Sequence, residues 1–143
     1  MAPDVLLALV AAEVVLWVDG RRLCFRAPVG ALDARLRAAA GRVRGSLIAL
    51  VKAGAVLPVE RGAWPAEAFA ELEERAGMLL YDAGLPPLQA EREAERLVRV
   101  SHARAFVGRA VTDQRRRETI PVRSRLTRRA RPARPGSPGR PWA

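Results

Sequence analysis

The chain has 143 residues, of which half are hydrophobic but only 5% are aromatic. This length suits one domain or two very small ones, with a core built mostly from Leu, Val and Ala. The net charge of +10 lies mainly in residues 108–143, where eleven arginines accompany two acidic side chains. The single cysteine, Cys24, excludes an intrachain disulfide.

The apolar run over residues 5–18 is predicted to be neither a signal peptide nor a membrane span. No positive residue precedes it, Glu13 interrupts it, and no small-residue cleavage site follows. We therefore expect a cytoplasmic protein without a membrane association. The abundance of Arg and Ala, a pattern common in GC-rich genomes, agrees with a bacterial source.

Three short helices are predicted in the first third of the chain. Each has apolar residues at helical spacing, and the first two follow an aspartate, Asp4 or Asp33, that can cap a helix. They are expected over residues 5–13, 34–40 and 42–51. Gly54 is placed to end the third helix at the position after its C-cap.

A β-hairpin is predicted between the first two of these helices. Asp19-Gly20 separates two apolar runs and favours a type I′ turn. This turn pairs Val18 with Arg21 and Trp17 with Arg22. Because side chains alternate across a strand, one face can seal a core, and its residues are Val14, Leu16, Leu23 and Phe25. The other face is mixed, and its residues are Val15, Trp17, Arg22, Cys24 and Arg26.

A linker and a helical hairpin are predicted for the middle of the chain. Residues 55–62 show no periodic pattern and are expected to be a linker or an extended segment. Trp64-Pro65 opens a helix, since proline suits the first helical turn, and Asp82-Ala83-Gly84 ends it. A further helix is predicted over residues 88–102.

From Gly108 onward the chain is rich in Arg, Pro, Ser and Gly. Such a segment buries too little apolar surface to offset its ordering entropy, so disorder is predicted. The fold class is therefore α+β: a helix–hairpin–helix–helix module, a helical hairpin and a disordered basic tail. The expected boundaries are 1–53, 54–107 and 108–143.

The N-terminal third also carries a recognisable combination of features. An opening helix at 6–10, a hairpin with Leu-Trp-Val-Asp-Gly at 16–20, the run Arg-Ala-Pro-x-Gly-Ala-Leu at 26–32 and a helix with Leu-Ile-Ala-Leu at 47–50 follow in order. Together they resemble the TubC-type N-terminal docking domain of nonribosomal peptide and polyketide synthetases. The resemblance covers residues 4–52.

This resemblance implies a compact, often dimeric module that receives a short linear segment of a partner along its hairpin. A two-stranded hairpin has free edges to which an extended peptide can add. The partner-contacting role is carried over to Trp17, Arg22, Cys24 and Arg26, and the two arginines favour an acidic segment.

The sequence departs from the family pattern at several positions. Val29 stands where Lys is frequent, no Pro follows Asp33, and Gly41 and Gly45 replace stronger helix formers. No synthetase domain follows the module in this sequence. We therefore expect a free-standing protein that reuses it.

No pattern of catalytic or metal-binding residues is recognised. Cys24 would need a base to act as a nucleophile, and the single histidine, His102, is distant in the sequence. Metal sites need several His, Cys or clustered carboxylates. We therefore predict a non-catalytic docking or adaptor protein without a cofactor, which binds a protein partner or a second copy of itself.

A second hypothesis is a small DNA-associated accessory protein of a plasmid, phage or other mobile element. Residues 74–86, followed by Ala90-Glu91, are similar to a short helical element found in replication-associated and hypothetical proteins of bacterial plasmids and phages. The tail would contact phosphates in a salt-dependent manner. The candidate contacts are Arg115, Arg116, Arg117, Arg128 and Arg129.

Overall fold

The computed structural model describes the backbone of residues 1–130 and the side chains of residues 1–118. Helices and one antiparallel hairpin make up the described part, which confirms the α+β class. The elements are α1 (Ala2–Ala11), β1 (Val15–Asp19), β2 (Arg22–Arg26), α2 (Ala34–Arg42), α3 (Arg44–Lys52), a 3-10 turn (Arg61–Ala63), α4 (Ala66–Tyr81) and α5 (Pro87–Ala130). The chain divides into two compact units, Met1–Val107 and Gly108–Ala143.

A Schellman motif ends α1 and leads directly into the hairpin. The N–H of Glu13 donates to the carbonyl of Val10 at 3.0 Å, and the N–H of Val14 donates to that of Leu9 at 3.0 Å. Glu13 has a φ of 66°, a conformation that normally selects glycine. At the end of α3, Gly54 takes the equivalent position with a φ of 97°, as predicted.

The turn of the hairpin lies one residue later than predicted. Its central residues are Gly20 and Arg21 rather than Asp19 and Gly20, and Gly20 has a φ of 64°. This is a type II′ turn, which requires positive φ only at its first central residue. Asp19 therefore avoids the left-handed conformation that a type I′ turn would impose on it. The predicted pairings were therefore wrong. The observed pairs are Val15–Arg26, Leu16–Phe25, Trp17–Cys24, Val18–Leu23 and Asp19–Arg22.

The corrected register leaves every side chain on its predicted face. The partner of each β1 residue moves by two positions along β2, and side chains alternate with a period of two. Leu16 and Phe25 thus remain on one face, and Trp17 and Cys24 remain on the other. Only the cross-strand neighbours change.

A first hydrophobic cluster joins the N-terminal helices and the hairpin to α5. Leu6 and Leu47 are fully buried, and burying a leucine contributes about 1.5–3 kcal/mol. Val100 and Ala103 of α5 belong to the same cluster, as does Ala55. The segments expected as separate modules over 1–53 and 54–107 therefore share one core.

A second cluster forms where α4 packs against α5, as the predicted helical hairpin requires. Its buried residues are Leu57, Trp64, Leu72, Ala94 and Val98. Two of them, Leu57 and Trp64, come from the segment between α3 and α4. That segment is consequently part of the packed structure.

Helix α5 extends beyond the expected end at residue 102 and continues to Ala130. Disorder was expected from Gly108 onward, but residues 108–130 belong to this helix. Residues 131–143 lie outside the described part. Arg, Gln, Glu and Ala are good helix formers, so a charged composition that disfavours a core still permits a helix. No helix within the described residues has the length and hydrophobicity needed to cross a membrane.

Candidate functional site

In the part of the chain that the structure describes, no other strand covers the two outer edges of the hairpin. Within residues 1–130, β1 and β2 pair only with each other, and no further backbone group bonds to them. The pair flanking a two-residue turn is hydrogen-bonded, and the following pairs alternate. Leu23 and Phe25 therefore direct their N–H and C=O groups away from β1, where a further strand can bind them.

On the apolar face of the hairpin, the side chains on the β1 side are buried, whereas Phe25 of β2 is exposed. Val14 and Leu16 are 2% and 3% exposed, whereas Phe25 is 50% exposed. Leu23 and Phe25 line an apolar groove of about 160 Å³ together with Leu32 and part of α2. Phe25 is thus half-exposed beside the unpaired edge.

The four residues predicted to contact a partner share the opposite face. Arg22 and Arg26 are exposed, Trp17 is 37% exposed, and Cys24 is half-buried. Cys24 lies opposite Trp17 across the strands. The structure thus brings the four together on one surface, although they are not equally accessible.

This second face is bounded by the segment between α3 and α4. Trp17 lines a groove of about 380 Å³ whose far side is formed by residues 56–59. Val15, which the sequence places on the mixed face, is only 8% exposed, since it lies beside Leu57 and Arg99. Only the part of the face nearer the turn and β2 is therefore accessible.

Arg99 anchors the segment that follows α3 to α5. Its side chain is 7% exposed and donates hydrogen bonds to the carbonyl oxygens of Leu57, Pro58 and Val59 at 3.1, 3.1 and 3.3 Å. Its guanidinium carbon lies 5.1 Å from the Trp64 ring centroid, and Trp64 Nε1 donates to the Pro58 carbonyl at 2.8 Å. Part of the expected linker is thus fixed against α5, and we call residues 57–59 the strap.

Glu95 completes this anchor. It accepts hydrogen bonds from Arg61 at 2.7 Å and from Arg99 at 3.0 Å. Burial raises the pKa of Glu95, but the two guanidinium groups outweigh it and bring the pKa below its ordinary value. The carboxylate therefore stays ionised and offsets the buried charge of Arg99.

The comparisons with known proteins bear on the hairpin and its helices. Residues 4–52 match the TubC N-terminal docking domain. The match covers the segment identified by resemblance, and it supports a protein–protein docking role; we call these residues the docking segment. Neither the curated proteins nor the solved structures gave a match.

The remaining candidates lie outside the docking segment. Arg115, Arg116 and Arg117 are exposed on α5, whereas Arg128 and Arg129 lie outside the residues whose side chains are described. His102 Nε2 lies 2.9 Å from the carbonyl oxygen of Gly54 at the end of α3. No group of three or more His, Cys, Asp or Glu that could hold a metal occurs in the described part of the chain.

Proposed function

We propose that the chain is a docking protein whose hairpin takes up an extended segment of a protein partner as an added strand on β2. The half-exposed Phe25 beside an unpaired strand edge carries this proposal. Both features lie within the docking segment, whose family match supports a docking role.

Addition of a strand to β2 would place side chains of the partner against both faces of β2. Main-chain hydrogen bonds to Leu23 and Phe25 would supply affinity, and alternate side chains of the partner would supply specificity. Those on one side would contact the apolar groove beside Phe25. Those on the other side would meet Arg22 and Arg26, which favour acidic residues.

Peptide selection on the full chain tests this proposal. Random twelve-residue peptides are selected by display, and their affinities are measured by fluorescence anisotropy. Phe25→Ser and Arg22→Glu should each weaken binding at least tenfold, which corresponds to about 1.4 kcal/mol. The matched controls Tyr81→Ser and Arg35→Glu, both exposed and outside the lining of the apolar groove, should change it less than twofold. Unchanged binding to the Phe25 and Arg22 variants would contradict strand addition.

The variant Trp17→Ala distinguishes addition of a strand at the β2 edge from binding of a partner across the whole mixed face of the hairpin. Trp17 lies on β1, opposite Cys24, so a strand added outside β2 is separated from it by the width of β2. Strands lie about 4.8 Å apart. We therefore expect Trp17→Ala to weaken binding less than Arg22→Glu, and a larger loss would indicate docking across the face.

Self-association is the other use of the same edge. Sedimentation of the unliganded wild type and of Phe25→Ser, at equal concentrations, distinguishes a second copy from a foreign partner. A dimer that Phe25→Ser dissociates would assign the edge to self-pairing.

Nucleic-acid contact is a second candidate function, favoured by the exposed run of Arg115, Arg116 and Arg117. Binding of a 30-base-pair duplex should weaken steeply with salt. A chain that ends at Val107 should no longer bind it. Equal binding by the shortened chain would refute a role for these arginines.

A further inference from the structure

A cleft of about 560 Å³ lies at the open end of the hairpin. Val15 and Arg26, which pair across the first and last positions of the strands, line one side of it. Leu88 and Arg92 of α5 line the other. The volume falls within the range of ligand-binding clefts. Since α5 lies outside residues 4–52, the docking segment alone cannot form this cleft.

The lining of the cleft contains five arginines and three glutamates, and the glutamates are already paired. Glu13 accepts from Arg92 at 2.8 Å, and Glu95 accepts from Arg61 at 2.7 Å. Glu91 lies 3.8 Å from Arg61. Further carboxylates from outside would therefore meet an excess of positive charge.

Two arginines of the lining form no hydrogen bond or ion pair with a carboxylate that lines the cleft, although Glu13 attracts Arg96 at longer range. Within residues 1–118, the side chain of Arg26 makes no hydrogen bond or ion pair. Arg96 pairs with Glu93, its neighbour on α5, and Glu93 does not line the cleft. These two side chains are the cations that an incoming anion can engage without breaking an existing pair within the lining.

We propose that this cleft binds acidic residues at one end of the partner segment docked on β2. This inference rests on the proposed function, because β2 directs the segment there. β2 ends at Arg26, one residue after Phe25. A strand that pairs with Leu23 and Phe25 advances about 3.3 Å per residue, so it reaches the cleft within a few residues.

The chemistry of the lining identifies the occupant as an acidic peptide with apolar side chains. Val10, Val15 and Leu88 provide an apolar surface, and the guanidinium groups of Arg26 and Arg96 can form charge-assisted hydrogen bonds with carboxylates. Such bonds gain strength where apolar walls exclude water. A neutral peptide could form neither of these charge-assisted bonds.

The peptides selected on the wild-type chain provide the probe. We expect Asp and Glu to cluster at one end of them. The double variant Arg26→Gln/Arg96→Gln should weaken their binding at least tenfold. The control Arg35→Gln/Arg104→Gln removes the same net charge from exposed positions outside the cleft, and it should change binding less than twofold. Replacing the peptides' acidic residues by their amides should reproduce the loss.

The outcomes separate this inference from the proposed function. Peptides that require Phe25 but show no acidic end, or that bind the cleft variant as well as wild type, would overturn the cleft alone. Equal losses in the cleft and control variants would assign the acidic preference to net charge and also overturn it. Peptides that bind without requiring Phe25 would overturn the proposed function and this inference with it.

Discussion

Replacing Arg99 by methionine should destabilise the unit Met1–Val107 by about 3 kcal/mol. Methionine retains an apolar stem but removes the donors to the carbonyl oxygens of Leu57, Pro58 and Val59. Removing one partner of a buried, hydrogen-bonded charge network costs about 3–5 kcal/mol. We expect the lower end of this range because Glu95 keeps its bond to Arg61.

Arg96→Met is the matched control, one turn away on the same helix. Arg96 and its partner Glu93 have side chains that are 28% and 35% exposed, so their ion pair contributes about 1 kcal/mol or less. Arg99→Lys should lie between the two variants, since an ammonium keeps the charge but lacks the planar fork that reaches several carbonyls.

Urea unfolding followed by circular dichroism measures these differences. With a slope of about 1–3 kcal/mol per molar urea, a loss of about 3 kcal/mol lowers the midpoint by roughly 1–3 M. Equal midpoints for Arg99→Met and Arg96→Met would show that the strap is not held by Arg99, and would refute the reasoning.

Three further predictions concern single positions. The pKa of Glu95 is lowered in the folded state, so its contribution to stability is present at neutral pH and is lost as the pH falls below about 4.5. The difference in the free energy of unfolding between wild type and Glu95→Gln, measured by urea unfolding, should therefore narrow between pH 6 and pH 3. Glu13→Gly should raise stability by up to about 1 kcal/mol, because relief of the left-handed conformation outweighs the loss of an exposed ion pair, whereas Glu13→Ala, which keeps the strain, should lower it. Gly54→Ala should cost about 1–2 kcal/mol in the same assay, and because the space around a new Cβ is open, a neutral result would exclude backbone strain at this position.

The sequence predicted the two faces of the hairpin although it mispredicted the turn. Alternation assigns Leu16 and Phe25 to one face whichever turn closes the strands, provided that the register changes by an even step. The turn type depends on whether Asp19 or Arg21 accompanies Gly20, and an Asp-Gly pair in the sequence favours the wrong alternative.

The strap and the cleft were missed because their contacts join distant parts of the chain. Arg99 bonds to carbonyl oxygens about 40 positions earlier, and a carbonyl has no signature in the sequence. The Glu95–Arg99 spacing on α5 was the available signal, but such pairs are common on exposed helices. The length of α5 was missed because charged residues suit both a helix and a disordered tail.

The shared core determines how portable the docking segment can be. Leu6, Leu9 and Leu47 pack with Val100 and Ala103 of α5, so excising residues 1–53 would leave this apolar surface in water. A fusion that transplants the segment alone would therefore acquire an aggregation-prone patch, while one that includes residues 1–107 would carry a complete interior. In this protein, the unit that can be transferred, residues 1–107, is about twice as long as the docking segment within it.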